Sequence, residues 1–202
     1  MLREAVVIID VQNAILTIPG LKRSVETLAA LEAVVARIAA LLKQARARGI
    51  PVLFVQHDGP QGHRLQKGAP GWQIRSEIAP APGEPVIHKT ACDSFFETTL
   101  SAELEARQIG QLLVAGCMTP YRIDTSVRRA VSLGYDVTLV ADGHMTVDMG
   151  PLTFEQIIAH HNAVLDGFEA GSHSVRVVPL HQISGSRAVR LSSFYENRRT
   201  CP

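Results

Sequence analysis

Three short stretches hold side chains that could do chemistry. Asp10 closes the apolar run Glu4–Ile9, Lys89 closes the run 85–88, and Cys-Met-Thr-Pro-Tyr-Arg follows Gly116 at the end of a further run. If these runs are strands of one parallel sheet, their ends lie along one edge. A carboxylate and an ammonium at adjacent strand ends form a partly buried pair in which each perturbs the other's proton affinity. That pair is either a site or an ordinary buried ion pair, and its pattern alone leaves both open. Cys92, Cys117 and Cys201 are the three cysteines. An odd number without a CxxC gives no disulfide framework, so each is a small thiol until its surroundings say otherwise.

The elements that must position these residues alternate from end to end. Strand-like runs cover 4–9, 51–56, 85–88, 111–115, 135–140 and 175–178. Between them lie helical patterns over 24–48, 98–107, 121–133 and 153–168. In the first helix Leu28, Leu31, Val35, Ile38 and Leu42 recur at helical spacing, with Ser24 placed to cap it and Gly49 to end it. The strands are unbroken Val/Ile/Leu runs, so helices must cover both faces. The expected fold is α/β: a doubly wound, Rossmann-like, mostly parallel six-stranded sheet, with ligands bound beyond the carboxyl ends of its strands. The domain spans 1–184, and a polar tail follows over 185–202, either a loose end or an arm for a neighbouring subunit. The Gly- and Pro-rich stretch 58–83 carries the lone tryptophan, Trp72, and a loop this long in a compact domain is usually functional.

Composition narrows the classes. The chain has 202 residues, 46% of them hydrophobic, and a formal net charge of +1 with scattered basic residues. That balance argues against nucleic acid as partner. No apolar run approaches the roughly 20 residues that span a bilayer, and the start lacks a signal-peptide layout. A soluble, cytoplasmic protein is expected, without membrane or nucleic-acid partners. No GxGxxG follows the first strand, so no dinucleotide is expected.

Taken together, VVIIDVQNAIL, PVIHKTACDSFFETTL and LLVAGCMTPYRIDTSVRRAVSLGYDVTLVADGH resemble, in order, three segments of the isochorismatase-like hydrolases, the cysteine-hydrolase family. HDGPQG with PGWQI, and LTFEQIIAHHNAVL, look like one of its cysteine-hydrolase branches. The likeness runs to about Val178. It implies Asp10 as general acid/base and Lys89 as the cation that acidifies a nucleophile. The family's nucleophile is the cysteine of G-x-x-T-x-x-C-V-x-x-T at a helix start, where the helix end and the lysine favour a thiolate. Backbone N–H groups of the same turn, here at Met118 and Arg122, stabilise the oxyanion. The resemblance implies a small-molecule substrate, hydrolysis at a C–N bond or a vinyl ether, no cofactor, and a homodimer or homotetramer.

Gly116, Thr119, Tyr121, Asp124 and Thr125 set the register of that pattern, and Arg122 then stands in the cysteine's place. A guanidinium cannot be a nucleophile. In a first helical turn it costs roughly 0.3–1 kcal/mol, and Lys89 adds repulsion. Such a residue either grips an anion through its fork or swings out to solvent in an inactive descendant. Two routes would preserve hydrolysis. Cys117, five residues upstream, could replace the nucleophile, with Cys92 a weaker alternative, or Asp10 could act as an acid toward a vinyl ether without any thiol. Absent both, the chain is a binder of a small anion or a structural subunit. The expected pocket takes in Gln12, Trp72, Phe95, Phe96, Thr119 and Tyr121. His57, Asp58 and His63 lie where zinc-binding relatives place their ligands, but the spacing differs and no metal is expected. His160 and His161 point about 100° apart on their helix, while His88, Asp142 and His144 are expected in supporting roles.

Overall fold

The computed structural model describes residues 3–183. The tail expected over 185–202, with Cys201, lies outside the described residues. Seven strands form one sheet: β1 Arg3–Ile9, β2 Val52–His57, β3 Val86–Lys89, β4 Ile109–Cys117, β5 Asp136–Met145, β6 Glu169–Ala170 and β7 His173–Val178. Their order is β3-β2-β1-β4-β5-β7-β6. All pairings are parallel except β6 with β7. The expected six strands become seven because two residues, Glu169 and Ala170, fold back on β7, too short a piece to read from apolar periodicity. The helices are α1 Ser24–Ala47, α2 Leu100–Ala106, α3 Asp124–Ser132, α4 Phe154–Leu165 and α5 Leu180–Ile183. None is long and apolar enough to cross a membrane.

The pleat divides the core. Val6 and Ile8 pack on one face with Leu31, Ile38 and Leu42 of α1, and Val7 and Ile9 pack on the other with Leu100 of α2 and Val127 of α3. Residues 5–9 of β1 are at most 2% exposed, which explains the run without alternation: a central parallel strand faces helices on both sides. α1 starts at the expected Ser24, but the capping position is Arg23 and carries no side-chain cap. Arg23 instead bonds Glu155 at 2.8 Å, tying the start of α1 to the start of α4. α4 has its own reciprocal cap, in which Thr153 Oγ1 accepts from Gln156 N and Gln156 Oε1 accepts from Thr153 N.

Sheet order reverses between β1 and β4, so a crevice opens beyond their carboxyl ends. Gly116 permits this. Its φ is +137°, and a Cβ there would collide with the Ile9 carbonyl, so only glycine lets β4 run this close to β1.

Candidate functional site

Asp10 leaves β1 with φ +52°, an uncommon conformation for a residue with a side chain. It is fully buried. Lys89 belongs to β3, not to a strand beside β1. β2 lies between, a backbone separation of roughly 10 Å that the lysine stem crosses to put Nζ 3.2 Å from Asp10 Oδ2. Lys89 Nζ also donates to the Cys92 carbonyl at 3.0 Å and to Ser94 Oγ at 3.2 Å. Ser94 is held in turn by Ser126 Oγ of α3 at 2.8 Å.

After the cis Cys117–Met118 peptide the chain makes a wide π-helical turn, Thr119–Ile123, and continues into α3. Arg122 sits on this turn and folds inward, with Nε 2.9 Å from Asp10 Oδ2. Its side chain is 11% exposed. The swing to solvent allowed by sequence does not occur. One carboxylate thus faces two cations, with Asp10 and Lys89 sealed beneath the guanidinium. Burial pushes Asp10 above the usual carboxylate range, against the pull of Lys89 and then Arg122. Burial pushes Lys89 down, opposed by Asp10 and reinforced by Arg122. His57, at the end of β2, is driven to about 4 by burial, then Arg122 and Lys89, so it is neutral at pH 7.

The turn is braced from behind. Thr119 Oγ1 lies 2.9 Å from His144 Nδ1, and His144 Nε2 lies 2.8 Å from Asn162 Oδ1 on α4. Asn162 Nδ2 donates to the Ala141 carbonyl, which orients the amide, so His144 Nε2–H donates and Nδ1 accepts the threonine proton. His144 is pushed down to about 4, by burial first.

Above Arg122 a cavity of about 340 Å³ opens, bounded by Leu21, Arg64, Met118, Tyr121, Arg122 and Val147, with Asp148 also on its wall. Its size is ordinary for a small-molecule site. Met118 and Arg122, the residues expected to supply backbone N–H groups, both line it, as does Tyr121. Five residues expected as pocket walls do not. Gln12 is buried and ties loops together, its Nε2 donating to the carbonyls of His57 and Trp72. Trp72 Nε1 donates to Asp58 at 2.7 Å, and its ring stacks on His88. Phe95 stacks on Tyr135 against the α2/α3 side of the core. Thr119 is turned to His144. Phe96 is exposed. The stretch 58–83 is thereby pinned by polar contacts to strand ends, and it contributes Arg64, which nothing in the sequence pattern distinguished from other surface arginines.

Cys117 does not serve as the replacement nucleophile weighed from sequence. It is fully buried on the α1 side of the core, and burial followed by the Asp10 charge pushes its thiol up to about 12. Such a group is neither ionised nor reachable. Cys92 is exposed; its carbonyl accepts from Lys89 Nζ, and its thiol is near enough to act on the lysine's proton affinity. Asp58 is engaged by Trp72, Lys67 and His88, and no cluster among the described residues offers three or more His, Cys, Asp or Glu side chains to a metal.

Comparison with known proteins identifies the family and the fold. The isochorismatase domain model matches residues 4–166. A streptothricin hydrolase of Streptomyces noursei is 32% identical over 146 residues, 72% of this chain and 51% of that protein, so the chain spans about half its length. The ureidoacrylate amidohydrolase RutB of Rhizobium rhizogenes is 28% identical over 187 residues, covering 78% of this chain and 75% of that one. Among solved structures, an isochorismatase from Pseudomonas putida superposes with a TM-score of 0.78 at 31% identity, covering 89% of each chain.

Proposed function

The chain belongs to the isochorismatase family, and we propose that it keeps that family's frame and pocket, lacks its thiol chemistry, and binds a small anion at Arg122. The observation that carries this reading is the 2.9 Å contact of Arg122 Nε with Asp10 Oδ2, both side chains buried. By the family pattern a cysteine belongs where Arg122 stands. A carboxylate that should take a proton from a nucleophile is occupied by a permanent cation, and the nearest alternative thiol is locked in the core. Two cations on one carboxylate leave an excess positive charge under a cavity, and burying an unbalanced charge is costly until an anion supplies the balance.

A second reading, acid-catalysed hydrolysis, has one observation in its favour: burial raises Asp10, which would help it hold a proton to deliver. Against it, Asp10 has no exposed surface, so Arg122 must move before a substrate reaches the acid. Both readings meet one experiment. A panel of amides, carbamates and a vinyl ether is assayed with the native protein, Arg122→Cys and Asp10→Asn. The expected result is no turnover by the native protein and measurable amide hydrolysis by Arg122→Cys. Native turnover abolished by Asp10→Asn overturns the binding reading in favour of acid catalysis. A silent Arg122→Cys overturns the claim that the frame is intact.

A further inference from the structure

Arg64 reaches the same cavity as Arg122 from the 58–83 stretch. Its Nε donates to the Ala14 carbonyl at 3.1 Å and Nη2 to the Ile15 carbonyl at 3.2 Å. These bonds hold the guanidinium in place without neutralising it, and Arg64 forms no ion pair among the described residues. Burial, followed by the charge of Arg122, pushes its proton affinity down, as expected of two cations facing one space. The other charges nearby do not balance them. Asp148 on the wall accepts from Phe154 N at 2.8 Å and pairs with Arg23 at 3.4 Å. Asp58 is paired with Lys67. His57 and His63 are both pushed down by burial and the arginines. Two guanidinium groups, Arg122 and Arg64, therefore line one cavity, with Asp10 shared between Lys89 and Arg122 and with Asp148 as the acidic side chain on the wall. A ligand with one anionic group would engage one guanidinium and leave the other without an acidic partner. Leu21, Met118 and Val147 give the cavity apolar surface between its charged groups.

We propose that the ligand is a small organic dianion, a dicarboxylate with a short hydrocarbon spacer being the form the lining fits, and that Arg64 is the second residue that holds it. This rests on the anion-binding reading above and extends it. The guanidinium fork matches carboxylate and phosphate alike, so the test separates the two sources.

Glutarate, pentanoate and inorganic phosphate are titrated calorimetrically into the native protein, Arg64→Gln, Arg64→Lys and Arg122→Met. Glutarate is expected to bind at least tenfold more tightly than pentanoate. Arg64→Gln should erase that preference by weakening glutarate far more than pentanoate, and Arg64→Lys should keep part of it. Should Arg64→Gln fail to fold, judged by its thermal unfolding, Arg64→Lys carries the comparison. Phosphate matching glutarate, with the same dependence on Arg64, supports a dianion site and transfers it to phosphate. Equal binding of glutarate and pentanoate, or a preference that survives Arg64→Gln, overturns the proposal. If pentanoate binding is then still lost in Arg122→Met, the simpler anion-binding reading stands. No binding by any of the three overturns both.

Discussion

Replacing Asp10 by asparagine keeps its shape and removes its charge. In the native site that carboxylate touches Lys89 at 3.2 Å and Arg122 at 2.9 Å, with the aspartate and lysine side chains at 0% exposure. The variant buries two cations with nothing opposite them. Breaking a buried pair by deleting one partner costs about 3–5 kcal/mol, and here one deletion orphans two charges, which puts the cost at the upper end. For a domain of this size each kcal/mol moves Tm by about 2–4 °C, so Asp10→Asn should melt roughly 10–20 °C lower. Arg122→Met behaves differently. It removes a cation that repels Lys89 and leaves a matched Lys89–Asp10 pair, so its cost should stay within about 1 kcal/mol despite the lost guanidinium contact. Urea unfolding at constant m gives both numbers. The charge argument is refuted if Arg122→Met costs as much as Asp10→Asn, or if Asp10→Asn costs less than about 1 kcal/mol.

Three further outcomes follow from the same contacts. A thiol electrophile at pH 8 should label exposed Cys92 and leave Cys117 untouched until urea unfolds the chain, as read by peptide mass spectrometry; labelling of Cys117 in the folded protein would show the thiol is accessible. His144 titrates near 4 when folded and near 6.5 unfolded, so the unfolded state binds the proton better. The His144 share of stability should be complete above about pH 6.5 and fall by up to about 3 kcal/mol on going to pH 4, and His144→Gln should remove that share in unfolding titrations, leaving the slope from His57. Gly116→Ala places a Cβ against the Ile9 carbonyl in a left-handed conformation; a loss of about 4 kcal/mol or more, or failure to fold, is expected by circular dichroism, and near-native stability would mean β1 and β4 can separate cheaply.

The sheet was legible because burial leaves a plain mark. Residues 5–9 cannot alternate when both faces are covered, and the helical repeats in α1 answer them. Asp10, Lys89 and the turn after Gly116 were legible for a related reason: polar residues closing apolar runs land at the carboxyl edge of a parallel sheet whatever the strand order. Strand order itself was not legible, and so Lys89 was expected beside Asp10 when it in fact reaches over β2. The pocket walls were misassigned where a side chain had a competing partner. Gln12, Thr119 and Trp72 are polar or amphipathic groups near the mouth, and each is consumed by a hydrogen bond to a carbonyl, a histidine or a carboxylate distant in sequence. Only the fold brings those partners together. Arg64 is the converse case, an arginine in a loop whose relevance comes from having no acidic partner among the described residues.

Arg122 joins these observations. At a helix start beside a lysine, an arginine is the wrong charge twice over, and local rules would turn it outward. It turns inward to buried Asp10, 2.9 Å from its Nε, on a turn that Thr119, His144 and Asn162 hold from behind. On the reading proposed above, the carboxylate that would deprotonate a thiol in the family pattern is here the counter-ion of Arg122. Such a replacement need not disturb the frame, since the strands, Gly116 and the braced turn are arranged independently of what occupies the position. What changes is the sign of the pocket floor. A site that would hold a nucleophile for a neutral carbonyl instead presents guanidinium to whatever enters, and a second guanidinium from Arg64 faces it across the same 340 Å³.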